Sequence, residues 1–474
     1  MNITGVVRLE IKTEGSNSKL LSLRNQVVFG LAYMSPLAAM STFGIVSELT
    51  GGLVSTTYIV ALIVVMFTVF SYGQMVKVYP IAGSSYTYAQ KTLHPNIGFL
   101  VGWAVLMDYL FVPMLCTLVF GLYMNVLISA IPSYIWMIGG AAIVTTLNVM
   151  GVKLALKVNT LLIILQYVGV AVFVFICIRG LMHGMGGQTL FSLKPFYNEN
   201  FAAANVASGA ALVFQSFLGF DAIATLAESS VKPKKTIPKA LAICCLLNGL
   251  VFTSVAYLGD LSFLGKQFQS ADTGVLEVGL YLAGNWYIIF SSILSMIGSA
   301  ASMLASQTSA ATMVYVMARD GVFPKRLLAH LHPRFKTPYI NIILIGVVSV
   351  GTAFFLNLGT AASFINFGAF LAFASVNFCV IVHYYIRNKR RTLKDKFKYL
   401  LIPSIGVLSN LGLLLNLEKN ALLLGSIWLG CGIVYLLYLS KFFRVRLPEM
   451  SISEKMPDQV APDARGSVPA SSTI

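Results

Sequence analysis

The chain alternates between long apolar runs and short polar connections. A helix needs about 20 apolar residues to cross a ~30 Å hydrocarbon layer, where open backbone polar groups are not tolerated. Twelve runs meet that need, at roughly 26–48, 54–76, 97–129, 134–150, 158–180, 205–228, 238–260, 286–316, 339–357, 361–386, 399–417 and 420–440. The first, third, sixth and eighth are long or hold glycine or proline, which predicts breaks or strong tilts in them. The expected architecture is therefore an all-α integral membrane domain of twelve transmembrane helices over 26–440, between a polar tail at 1–25 and a tail at 441–474. The second tail reads as disordered from about Pro448. The first shows no short apolar core before a small-residue cleavage site, so no cleavable signal is expected.

Composition agrees with the pattern. Apolar residues make up 57% of the 474 and charged residues 11%, against roughly 45–50% and about 25% in soluble domains. That is too little charge to coat a soluble surface. The net charge of +16 would suggest nucleic acid in a soluble chain, but its placement tells otherwise. With the N-terminus in the cytoplasm, 29 of the 33 Lys and Arg fall on the cytoplasmic side. Only Arg179, Lys194, Lys266 and Lys419 fall outside. That asymmetry predicts a multi-pass protein of the cytoplasmic (inner) membrane with both termini inside and no nucleic-acid partner.

No chemistry of the catalytic kind is visible. There is no GxxxxGK[ST] phosphate loop, no HExxH and no nucleophile elbow. The five histidines form no ligand cluster, and the six cysteines lie inside apolar runs without metal or disulfide spacing. The expectation is a protein that is not an enzyme, is not driven directly by ATP, and holds no metal or cofactor beyond a coupling ion.

Among the acids, only Asp108 and Asp221 lie well inside a run, with Glu228 at the end of the sixth. A buried ionisable group in a membrane faces a cavity, a partner or a pathway by default. Asp108 reads either as the partner of a cationic group on a solute or as a structural hydrogen-bond acceptor. Asp221 and Glu228, seven apart, share a helix face and suit either a gate or coupling role or pairing with basic loops.

Two runs carry interruptions. The first holds Met34-Ser35-Pro36-Leu37-Ala38, and the sixth holds Gln215-Ser216-Phe217-Leu218-Gly219-Phe220-Asp221. Breaks five spans apart mark an inverted-repeat carrier, in which half-helix ends meet at the membrane midplane. A channel would instead show a continuous polar pore and rings of charge.

Several motifs carry a resemblance. Pro80-Ile81-Ala82-Gly83-Ser84-Ser85-Tyr86-Thr87-Tyr88 with Pro95 through Trp103, Gly219-Phe220-Asp221 through Glu228 and Ile237-Pro238-Lys239-Ala240, and Met317 through Pro324 with Thr337-Pro338 resemble the amino acid–polyamine–organocation permeases. Within that superfamily the chain is most similar to the bacterial putrescine importers. This rests on Gly30 through Tyr33, Thr42 through Ser47, Asp108 through Phe111, and Ile365-Asn366-Phe367-Gly368-Ala369.

The resemblance implies a five-plus-five inverted repeat (LeuT-like) with two extra C-terminal helices, importing its solute by alternating access along an ion gradient. The solute would lie between Met34, Ser35, Pro36, Leu37 and Ala38 on one side and Gln215, Ser216, Phe217 and Leu218 on the other, with Asp108 and Tyr109 approaching from the third helix. Two departures bear on it. Ser41 stands where the putrescine importers carry aspartate, and Gln166 lies near the position where some proton-linked relatives carry a lysine; glutamine cannot titrate.

Sodium or a proton is the expected coupling ion. Ser299 and Ser302 on the eighth helix suit a sodium site or small-residue packing. The amides of Leu37 and Ala38 remain to receive a carboxylate beside Pro36, which has none. The expected solute is a small amine, polyamine-like first and an amino acid second, in contact with Tyr33, Tyr109, Phe217 or Phe220. Gly44 and Gly219 read as hinges or as close packing points.

Overall fold

The computed structural model describes residues 22–80, 84–150, 152–186, 189–199, 201–225, 227, 230–319, 322–335 and 337–441. The two tails lie outside these, apart from the few residues next to the bundle, as do Glu228, Ile81 through Gly83, and Asp320 with Gly321. Every regular element among the described residues is helical. Among the described residues, ten helical segments are long and apolar enough to cross a membrane. The two other expected spans take a different form. The first is split into α1 (Leu23–Met34), α2 (Ala38–Ser41) and α3 (Phe43–Thr50), and the ninth is a shorter apolar helix, α15 (Tyr339–Ala353).

In the first block the breaks are followed by α4 (Val54–Val78), the short α5 (Ser84–Thr92), α6 (Pro95–Leu127), α7 (Ser133–Met150) and α8 (Val152–Met182). The second block opens with α9 (Ala203–Val213), a 3-10 turn over Phe214–Phe217 and α10 (Ala222–Thr225). It continues through α11 (Pro233–Ser262), α12 (Gly274–Ala283), α13 (Asn285–Arg319), α14 (Lys325–Leu328), α15 and α16 (Leu358–Val380). Then come α17 (Leu393–Lys396), α18 (Ile402–Leu415) and α19 (Lys419–Leu439).

Of the breaks or strong tilts expected in the third and eighth spans, the breaks do not occur. α6 runs unbroken for 33 residues and α13 for 35. Pro113 sits inside α6 and removes a ladder donor, but the surrounding helices hold the rod together. At ~1.5 Å per residue α6 reaches about 50 Å, longer than the hydrocarbon layer, so it must tilt or project.

Helices at matching places in the two blocks pack on each other: α4 on α11, α6 on α13, and α7 on α15. The two interrupted spans also meet, through α1 with α10 and α2 with the 3-10 turn. Contact between counterparts is what a pseudo-two-fold axis produces. α18 and α19 lie outside the repeat against α16, α4 and α6. The stacked rings of Trp103 and Trp428, 5.1 Å apart, fasten α19 to α6, each indole N–H donating to the other residue's carbonyl.

Candidate functional site

The first break starts at Ser35, whose φ of 45° is left-handed and unusual outside glycine. Its hydroxyl donates to Gln166 Oε1 at 2.6 Å, so α8 pins this turn. Pro36 follows and cannot continue the ladder. The amide of Ala38 is taken by the carbonyl of Ser35 at 3.0 Å, and that of Met40 by Leu37 at 2.9 Å. The expectation of free donors at Leu37 and Ala38 is therefore corrected for Ala38 alone.

The second break turns at Leu218 and Gly219. Leu218 is extended with ψ 144°, and Gly219 has φ +103°, a region that only glycine enters readily. Three amides around it are committed locally, Leu218 N–H to Gln215 O, Ala222 N–H to Gly219 O and Ile223 N–H to Phe220 O. On the far side Asn366 of α16 donates to the carbonyls of Ala211 and Leu212, at 2.7 and 3.1 Å. It receives acceptors that the unwinding helix leaves open.

Between the breaks lies a cavity of about 100 Å³. Its floor and one wall are Met34, Ser35, Leu37, Ala38 and Ser41, faced by Gln215 and Leu218, with Ser299 and Ser302 from α13. With Tyr33, which also lines it, the structure thus brings ten of the anticipated residues to one void. Pro36, Ser216 and Phe217 are not on its lining. Ser216 instead exchanges a 3.2 Å hydrogen bond with Tyr58, and Phe217 is sealed between Tyr58 and Phe252. Gln166 stands one hydrogen bond behind the wall.

Asp108 and Tyr109 are also off the lining. Both are buried, Asp108 at 4% exposure and Tyr109 at 7%, as is Asp221 at 3%. The Oδ1 of each acid is buried with no hydrogen-bond partner. Tyr33, Tyr72, Asp108 and Asp221 all lie within electrostatic reach of Tyr109. From Asp108 the cavity begins one helical turn away, at Val112, about 6 Å along the axis. It continues along α6 past Leu115, Cys116 and Val119 to Tyr123. That stripe was legible: 108, 112, 115, 116, 119 and 123 share one helix face. Ser295 and Gly298 extend the Ser299–Ser302 face in the same way.

One buried acid escaped the pattern. Asp260, at the end of α11, accepts from the amides of Val54 and Ser55 at 3.0 and 3.4 Å and from the Ser47 hydroxyl at 3.4 Å. It caps the start of α4 and ties α3 to α11. Of the cysteines, five are buried as expected and Cys431 is exposed. Gly44 is a close-packing point: a Cβ there would stand 2.3 Å from the Ala271 carbonyl oxygen.

A multi-pass helical bundle with a solute-sized void where two interrupted helices meet is the architecture of a membrane transporter. The chain belongs to the amino acid permease family, which it matches over residues 25–414. It is 40% identical over 433 residues to the low-affinity putrescine importer PlaP of Escherichia coli K12, covering 91% of this chain and 96% of that protein. It is 28% identical to two proteins of Bacillus subtilis, a methylthioribose transporter and the branched-chain amino acid permease BcaP. Each match covers 81% of this chain and 85% of the relative.

Proposed function

We propose that this chain imports a small amine of the putrescine type across the cytoplasmic membrane, by alternating access and driven by an ion gradient. The observation that carries the reading is the cavity between two breaks in which the amides of Ala38, Leu218 and Ala222 are closed within their own turns. A carboxylate needs free donors, and the turn amides of Ala38, Leu218 and Ala222 offer none. An ammonium needs acceptors and a negative field, and Asp108 lies one turn of α6 from the cavity lining at Val112. The name carried by the 40% identical relative agrees with this.

In this reading the ten long helices, the broken first span and α15 make twelve crossings with both termini cytoplasmic, as the lysine and arginine distribution supports. Sodium or a proton drives uptake, and Gln166, which cannot titrate, is not the proton carrier. Asp221, buried beside Asp108 and Tyr109 at the sixth break, is the coupling residue in this scheme. Partners are the solute and the lipid bilayer, with no nucleic acid and no catalysed reaction. An amino acid solute is the second reading, favoured by the buried, unpaired Nε2 of Gln215 at the cavity.

The test is counterflow in liposomes holding the purified protein, with labelled putrescine and a panel of amino acids, with and without sodium or a proton gradient. Exchange of putrescine above the amino acids is expected. Exchange of amino acids alone would replace the first reading with the second.

A further inference from the structure

Three of the hydroxyls on the cavity wall have their protons already committed. Ser41 Oγ donates to the Ala38 carbonyl at 2.8 Å, Ser299 Oγ to the Ser295 carbonyl at 2.7 Å, and Ser35 Oγ to Gln166 Oε1 at 2.6 Å. A serine has one O–H to give and two lone pairs to receive with. With the proton engaged, what each of the three can still offer is lone pairs. All three line the same void, on α2, on α13 and at the end of α1. No acid or base is on that lining.

We propose that these serine oxygens form an acceptor wall that selects the solute by its N–H donors, so that ammonium hydrogen bonds, and not a contacting carboxylate, decide what enters. This rests on the amine reading above and deepens it. The serine that replaces an expected aspartate at position 41 then has a role. It trades a charge for an oriented oxygen, which lowers affinity for a dication while keeping the geometry that recognises an amine. Asp108, one turn of α6 from the lining, supplies long-range attraction without touching the solute. Charge alone would admit any small cation, whereas oxygens at fixed positions reject one that has no N–H, because its entry leaves buried lone pairs unmet.

The experiment has two arms in liposomes. On the wild-type protein, putrescine uptake is competed with unlabelled putrescine, N-methylputrescine, and tetramethylammonium, which is cationic and carries no N–H. Putrescine and N-methylputrescine are expected to compete, and tetramethylammonium to fail at a hundredfold higher concentration. In the second arm Ser41→Ala and Ser299→Ala are each expected to raise the half-saturating putrescine concentration about tenfold, while Ser299→Thr, which keeps the oxygen, stays near wild type. Equal competition by tetramethylammonium, or folded alanine variants with unaltered half-saturation, overturns the acceptor wall and leaves the amine reading standing. Absence of putrescine uptake by the wild type overturns the amine reading itself, and the wall with it. Should the alanine variants fail to fold, the competition arm decides alone.

Discussion

The ring of Tyr33, on the last turn of α1, lies on the Cα of Gly219 in the break of the sixth span. A Cβ at position 219 would stand 1.9 Å from Tyr33 Cδ1. The two interruptions therefore touch, and glycine is required there twice, for contact and for its φ of +103°. Gly219→Ala is expected to cost about 1–3 kcal/mol in backbone strain and more in contact, lowering the melting temperature in detergent and cutting uptake sharply. Adding Tyr33→Ala relieves the contact but not the strain, so the double variant should recover only part of the loss. Wild-type uptake by the single variant would show that the breaks are not locked at this point.

The Ser35–Gln166 bond holds a non-glycine residue at positive φ. Gln166→Leu removes the acceptor and leaves a part-buried hydroxyl unpaired, at a cost of about 1–3 kcal/mol. Initial uptake rates are expected to fall by tenfold or more. Gln166→Glu keeps an acceptor at the same reach and should stay closer to wild type. Equal losses for both variants would mean that the bond to Ser35 is not what matters.

Asp108→Asn keeps shape and removes charge. If the carboxylate attracts an ammonium from one turn of α6 beyond the cavity lining, uptake of a cationic solute is expected to be lost while the protein still inserts and purifies as a monodisperse species. The measurement is labelled putrescine uptake at matched protein density. Unchanged uptake would remove Asp108 from the transport pathway.

Asp260 caps the first residues of α4 and holds Ser47 of α3. Asp260→Ala is expected to destabilise the protein by about 1–2 kcal/mol, read as a lower melting temperature, with Asp260→Asn losing less because one acceptor oxygen remains. A melting temperature that does not move would show that the cap is redundant with tertiary packing.

Much of the site was legible along the chain, for a definite reason. Pro36 and Gly219 act on the backbone itself: a proline removes a ladder donor and a left-handed glycine leaves the helical region. The α6 stripe from Val112 to Tyr123 follows from the helical period once Asp108 marks a face. Asp260 was hidden because it ends an apolar run, where a loop acid and a buried cap look alike. Pro113 and the length of α13 suggested breaks or strong tilts, and both helices run on without a break, packed on each other and on their neighbours.

The amino-acid sequence by itself determined that this is a helical membrane protein with two interrupted spans five apart, because lipid forces every backbone polar group to be paired within its own segment. Only the tertiary structure decided which side chains share the void. Ser216 and Phe217 are adjacent in the chain to Gln215 and Leu218, yet the first pair turns to Tyr58 and Phe252 while the second faces the cavity. The direction of a side chain at a break depends on what packs behind it, and those partners come from helices distant in the sequence.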